Sequence, residues 1–145
     1  MANKMQQKAM RYGSVINRVI EETEQTQEKL DPMFKELKTK LDAQDMASLS
    51  ADRYNEIRQG FAAGTQTYDE LLQQLNQAQA PARLMGNHHL LVAAFSDFVK
   101  GCQAMTESLH DDQSVDVDQF AQAEKDQDDA TERLSKYLTK IGALA

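Results

Sequence analysis

Apolar residues return at alternating spacings of three and four along four successive stretches of this 145-residue chain. A helix keeps such positions on one face for many turns, and that face needs a neighbour to bury it. The first stretch reads Met5, Ala9, Tyr12, Ile16, Val19, Thr23, Thr26, Leu30, Met33 and Leu37, widened by Val15, Ile20, Phe34 and Leu41. The second is Tyr54, Ile57, Phe61, Gly64, Tyr68, Leu71, Leu75 and Ala78. The third is Leu84, His88, Leu91, Phe95, Phe98, Cys102, Met105 and Leu109. The fourth is Phe120, Ala123, Gln127, Ala130, Leu134, Tyr137, Ile141 and Leu144. Two prolines and six glycines are all the punctuation there is, so elements must be few and long. No run alternates apolar and polar residues far enough to make a sheet. The chain is therefore expected to be all-α, a single domain over residues 1–145 built as an antiparallel up-down four-helix bundle with coiled-coil-like seams.

Local signals mark where the helices start. Ser50 is a natural N-cap, with Leu49 before it and Tyr54 inside the helix as a hydrophobic staple. Asp116 and Gln119 have capping-box spacing, and Val115 with Phe120 forms the matching staple. The third helix is placed near Pro81. Pro32 lies within the first stretch, and Asp31-Pro32 is a possible cap and first turn of a new helix. Because the seam keeps its phase across Pro32, one long helix kinked there is the better reading. Short connections around residues 43–49, 79–81 and 111–116 make sequential helices antiparallel neighbours.

Helices two to four are expected to run about 28 residues, roughly 42 Å at the helical rise. Folding them at the turns puts Thr23, Thr26, Gly64, Tyr68, Phe95, Ala130 and Gln127 in one mid-height layer, with aromatics of the inner helices facing small or polar partners. Leu71, Leu75, Leu91, Phe95, Phe98, Leu134 and Ile141 are the predicted core.

Charge narrows the partners. Asp and Glu outnumber Lys and Arg by 23 to 16, for a formal net charge of -7, and nucleic acid asks for the opposite balance. Lys35, Lys38 and Lys40 gather where cations suit the end of a helix. No stretch approaches the apolar length of a membrane span. The opening residues lack the apolar core of a secretory signal, and the lone Cys102 has no partner for an internal disulfide. Cytoplasmic residence is the expectation, or an extracytoplasmic one if a signal segment has been removed.

Chemistry-bearing patterns are few. Glu107 and His110 make one Glu-x-x-His tetrad, but a di-iron bundle needs two such tetrads and inward carboxylates, and the seams contain none. His88 occupies a seam position, His89 beside it should face solvent, and Tyr137 lies at a height where it can bond His88. These two, His88 and Tyr137, are the candidate polar core or ligand site. A phosphotransfer role would need a Lys and a Gly shortly after the histidine, where Leu90, Leu91, Val92 and Ala93 stand instead. His88, His89 and Cys102 cannot share a zinc ion, since fourteen residues of helix separate the ends by about 21 Å. Cys102 reads as a small buried apolar side chain, and Glu124, Asp126, Asp128 and Asp129 as a solvated outer face. His110-Asp111-Asp112 lacks calcium-loop spacing. Neither catalytic residues nor a cofactor or metal site is expected.

Pro81-Ala82-Arg83, His88, Phe95, Gly101 and Leu109, followed by a helix opening near Asp116, resemble the second half of small helical-bundle proteins from Gram-positive bacteria. The likeness covers about sixty residues. Some members of that group are lipoproteins or are associated with secretion; this chain lacks their lipobox cysteine. Two functional classes stay open. One is an interaction or scaffold module without catalysis. The other is a small-ligand or sensor bundle using the region of His88 or the mid-height layer. The long first helix, with Met5, Met10 and Tyr12 beyond its neighbours, points to a homodimer through that helix.

Overall fold

Alternating three-and-four spacing becomes four helices in the computed structural model, which describes residues 3–144. Helix α1 spans Lys4–Asp42, α2 Ala51–Gln77, α3 Met85–Glu107 and α4 Val117–Leu144. Residues 1, 2 and 145 of the expected domain lie outside the described residues. Of the described residues 87% are helical, so the all-α four-helix expectation holds. The one extended pairing among the described residues is an isolated bridge between Leu109 and Val115 in the last connection. No helix among these residues is long and apolar enough to cross a membrane.

The start signals act as their chemistry requires. Ser50 Oγ accepts from the Arg53 N–H at 3.1 Å, and the staple residues Leu49 and Tyr54 are both buried. Asp116 Oδ1 accepts from the Gln119 N–H at 3.0 Å, but only this half of the expected capping box forms, since the Asp116 N–H donates to the Ser108 carbonyl at 2.9 Å. A further capping box, not anticipated from the sequence, opens α1: Asn3 Oδ1 accepts from Gln6 N–H at 2.8 Å, and Gln6 Oε1 from Asn3 N–H at 3.0 Å. Helix α1 continues through Pro32 as a single element. The third helix departs from expectation: a 3-10 turn over Ala82–Leu84 follows Pro81, and α3 proper has 23 residues.

Tyr12 of α1 meets His88 of α3, while Phe34 of α1 stacks on Phe120 of α4, which fixes the up-down order. The core divides in two. The upper cluster joins Tyr12, Ile16 and Val19 to Leu75, Leu91 and Phe95, and contains every predicted core residue. The lower one joins Leu37 to Tyr54, Ile57, Phe61, Leu109 and Phe120. Between Val19 and Leu37, α1 buries no side chain. The seam there is half-exposed at Thr23, Thr26, Leu30 and Met33, and Met5 at its start is exposed. Physically, the run from Glu21 to Lys29 offers no large apolar group to seat, so the helix is anchored at its two ends.

Two glycines set how the helices lean. A Cβ at Gly64 would lie 2.5 Å from Leu30 Cδ1, and one at Gly101 would lie 2.8 Å from Gln127 Cγ. Thus α1 presses onto α2 and α4 onto α3. Of the helix pairs around the bundle, α1 and α4 approach each other least closely.

Candidate functional site

That lean opens a cleft between α1 and α4. Two adjoining hollows of about 670 and 440 Å³ share the lining residues Glu24, Gln27, Phe98 and Thr131. The expected mid-height compensation of large against small residues is therefore incomplete: Thr23 and Gln127 do not fill the space above Tyr68 and Phe98. The lower floor is Phe61, Tyr68, Phe98, Cys102 and Met105. Tyr68 and Phe98 meet edge to face at 4.9 Å and 70°, and Phe98 meets Phe95 at 5.9 Å. Aromatic pairs in this geometry hold one another's rotamers, so the floor is stiff.

The walls are acidic. Glu24, Glu28 and Asp31 come from α1, and Glu124 and Asp128 from α4, with no Lys or Arg in the lining. Lys38 closes the lower mouth by donating to both Glu124 oxygens at 2.5 and 2.8 Å, and Lys35 pairs with Asp31 at 2.8 Å. Glu24, Glu28 and Asp128 have no ion pair among the described residues. The outer-face reading of the α4 acids holds for Asp126, Asp128 and Asp129, which are exposed, Asp128 at the rim of the cleft; it is corrected for Glu124, which is half-buried in the cleft wall. A register of about 3.6 residues per turn separates Glu124 from Asp126 and Asp129.

Polar acceptors are left over at depth. Tyr68 is 2% exposed and its hydroxyl makes no hydrogen bond among the described residues; burial pushes its pKa above the usual phenol value. The Thr23 hydroxyl is buried without a partner among the described residues. Pro32, which has no N–H, cannot satisfy the Glu28 carbonyl one turn earlier. By contrast, the Gln127 amide donates to the Gly101 carbonyl at 3.2 Å and braces α4 on α3. Cys102 is buried at the floor as its seam position implied, and burial pushes its thiol to about 12.

The sequence-derived candidates lie elsewhere. His88 is buried, but its partner is Tyr12 and not Tyr137: Tyr12 Oη and His88 Nδ1 are 2.8 Å apart, with rings edge to face. Tyr137 is half-buried against the same upper core, with Lys136 above its ring. Tyr12 wins because α1 and α3 begin at the same end and its seam position points at His88. Neither His88 nor Tyr137 lines the cleft. His89 is exposed, and His110 Nδ1 lies 3.0 Å from Ser114 Oγ in the last loop, away from any core carboxylate. Among the described residues no group of three or more His, Cys, Asp or Glu is placed to hold a metal ion.

Burial, helped by His89, lowers the His88 pKa, with the Leu75 backbone pulling the other way. The folded chain therefore binds this proton less readily than the unfolded one, whose histidine titrates near 6.5. Stability from this group is complete above about pH 6.5 and falls as pH drops toward the folded-state value. Thermal melts from pH 7 to 5 should show this loss, and His88→Gln should flatten it. Parallel profiles for both chains would show that His88 does not titrate with folding.

No protein-family model, curated protein or solved structure matches the chain.

Proposed function

We propose that the chain is a non-catalytic interaction module that holds a segment of a partner protein in the cleft between α1 and α4. The observation that carries this reading is the unsealed middle of α1, with no buried side chain between Val19 and Leu37. A bundle selected only for stability would place leucines there, since each fully buried one contributes about 1.5–3 kcal/mol. Aromatic floor and acidic walls define the guest as a row of apolar side chains flanked by lysines or arginines, the pattern of helix-in-groove recognition. The floor would take the apolar row, and Glu24, Glu28 and Asp128 the cations.

A designed peptide with leucines at helical spacing and lysines on both flanks is a sufficient probe. Titrated into isotope-labelled protein, it should shift the amide signals of Leu30, Thr65, Gln127 and Thr131. A charge-reversed peptide with glutamates should leave them in place. Shifts confined to exposed Asp126, Asp129 and Glu132, with the cleft silent, would reduce the binding to surface charge attraction and remove the proposal.

The small-ligand alternative gains support at a different place from His88. The unbonded Tyr68 hydroxyl offers a compact organic cation a hydrogen-bonding contact inside the same cleft.

A further inference from the structure

The charges of this chain are segregated along the bundle. Residues 1–20, 76–93 and 135–145 contain seven of the 16 Lys and Arg and none of the 23 Asp and Glu. The described residues of these three segments meet at one end, where α1 and α3 begin and α2 and α4 finish, as the Tyr12–His88 bond and the shared core of Leu75, Leu84 and Ile141 require. Lys4, Lys8, Arg11 and Arg18 follow one another at spacings of four, three and seven, which sets them in a single stripe along α1. Arg83 comes from the turn before α3, and Lys136 and Lys140 from the end of α4.

Among the described residues none of these seven cations has a counter-ion. Among the nine elsewhere, Lys35, Lys38, Lys40, Arg53, Arg58 and Arg133 are each paired with a carboxylate. The same end also carries the exposed apolar groups. Among the described residues, Met5, Met10, Met85, Leu90 and Leu144 are five of the six large apolar side chains left exposed, and Val117 alone lies at the far end.

We infer that this end docks on the surface of a bilayer containing anionic lipid. Unpaired lysines and arginines interleaved with flexible methionines and leucines are what an anionic headgroup layer over hydrocarbon accommodates. Cations take the headgroups, and the projecting turn of α1 with Met5 and Met10 reaches the boundary beneath. The overall charge of -7 does not oppose this. The nearest acids on the four helices, Glu21, Glu70, Asp97 and Glu132, lie about 10–26 Å along their helices from this end, roughly one to three screening lengths of about 8 Å, and only Arg18 and Lys136 stand within a turn of one. A two-fold homodimer through the start of α1, expected from its overhang, would instead set like-charged ends against each other. Duplex nucleic acid would match the cations but leave the exposed methionines without a function. This surface is separate from the cleft, so the two proposals stand or fall independently.

Co-sedimentation of the full chain with vesicles tests the inference. At low salt the protein should pellet with phosphatidylglycerol–phosphatidylcholine vesicles and stay in solution with phosphatidylcholine alone. Each cation at the surface is worth on the order of fivefold in partitioning. Lys4→Glu combined with Lys8→Glu and Arg11→Glu should therefore reduce binding by more than about a hundredfold, with an unchanged circular dichroism spectrum. Met5→Ser with Met10→Ser, which alters no charge, should weaken it severalfold. No pelleting, equal pelleting on both vesicle types, or binding indifferent to the charge reversals would overturn the inference. Binding to duplex DNA that ignores the methionine changes, with vesicles left unbound, would reassign the end to nucleic acid. A lipid-free dimer abolished by the charge reversals, again without vesicle binding, would reassign it to a second copy.

Discussion

Phe95→Ala is expected to destabilise the chain by about 3–5 kcal/mol, the range for truncating a buried phenylalanine. Phe95 is 3% exposed, packs edge to face on Phe98, and belongs to the upper cluster that binds α1, α2, α3 and α4 together. Removing its ring leaves a void beside the cleft that Phe98 cannot fill without abandoning Tyr68. Urea denaturation followed by helical ellipticity measures the loss. A change below about 1 kcal/mol would mean that the site collapses freely and that the floor of the cleft is soft.

Leu37→Ala should cost nearly as much, about 2–5 kcal/mol, whereas Leu30→Ala seven residues earlier should cost only about 1–2 kcal/mol. Both leucines occupy the α1 seam, and sequence pattern alone treats them alike. Leu37 is fully buried in the lower cluster; Leu30 is half-exposed, resting on Gly64 at the edge of the cleft. The difference between the two variants therefore measures how α1 is held: firmly below and above, loosely between. Equal losses would show that the middle of α1 is as well sealed as its ends.

The fold was legible because long seams, capping residues and scarce breakers all agree. Ser50 and Asp116 cap as their side chains require, and all seven residues named as core are buried. The limits of the pattern were equally physical. Periodicity says which face of a helix turns inward, but not how close the neighbour comes. The approach of α1 to α2 depends on Gly64 beneath Leu30, and that of α4 to α3 on Gly101 beneath Gln127. Those contacts are between residues far apart in sequence, and they decide that the space opens between α1 and α4. Thr23, Thr26 and the acids around them were visible as a polar interruption of the seam, yet their meaning needed the cleft. For the same reason Glu124 was read as solvated: a single helix does not reveal which neighbour stands off. His88 was correctly placed inside, but its partner was missed because Tyr12 and Tyr137 are equivalent in height.

Cys102, the only cysteine, sits at the floor of the cleft and reports on the central claim directly. A cationic and an anionic methanethiosulfonate reagent of similar size attack the same thiolate, so the ratio of their rates cancels the high thiol pKa. If an open cleft with acidic walls lies above Cys102, the cationic reagent should react on the order of tenfold faster at low salt, and the advantage should shrink as salt rises. Equal rates for the two reagents, or rates that follow global unfolding for both, would show that no such cleft leads to Cys102.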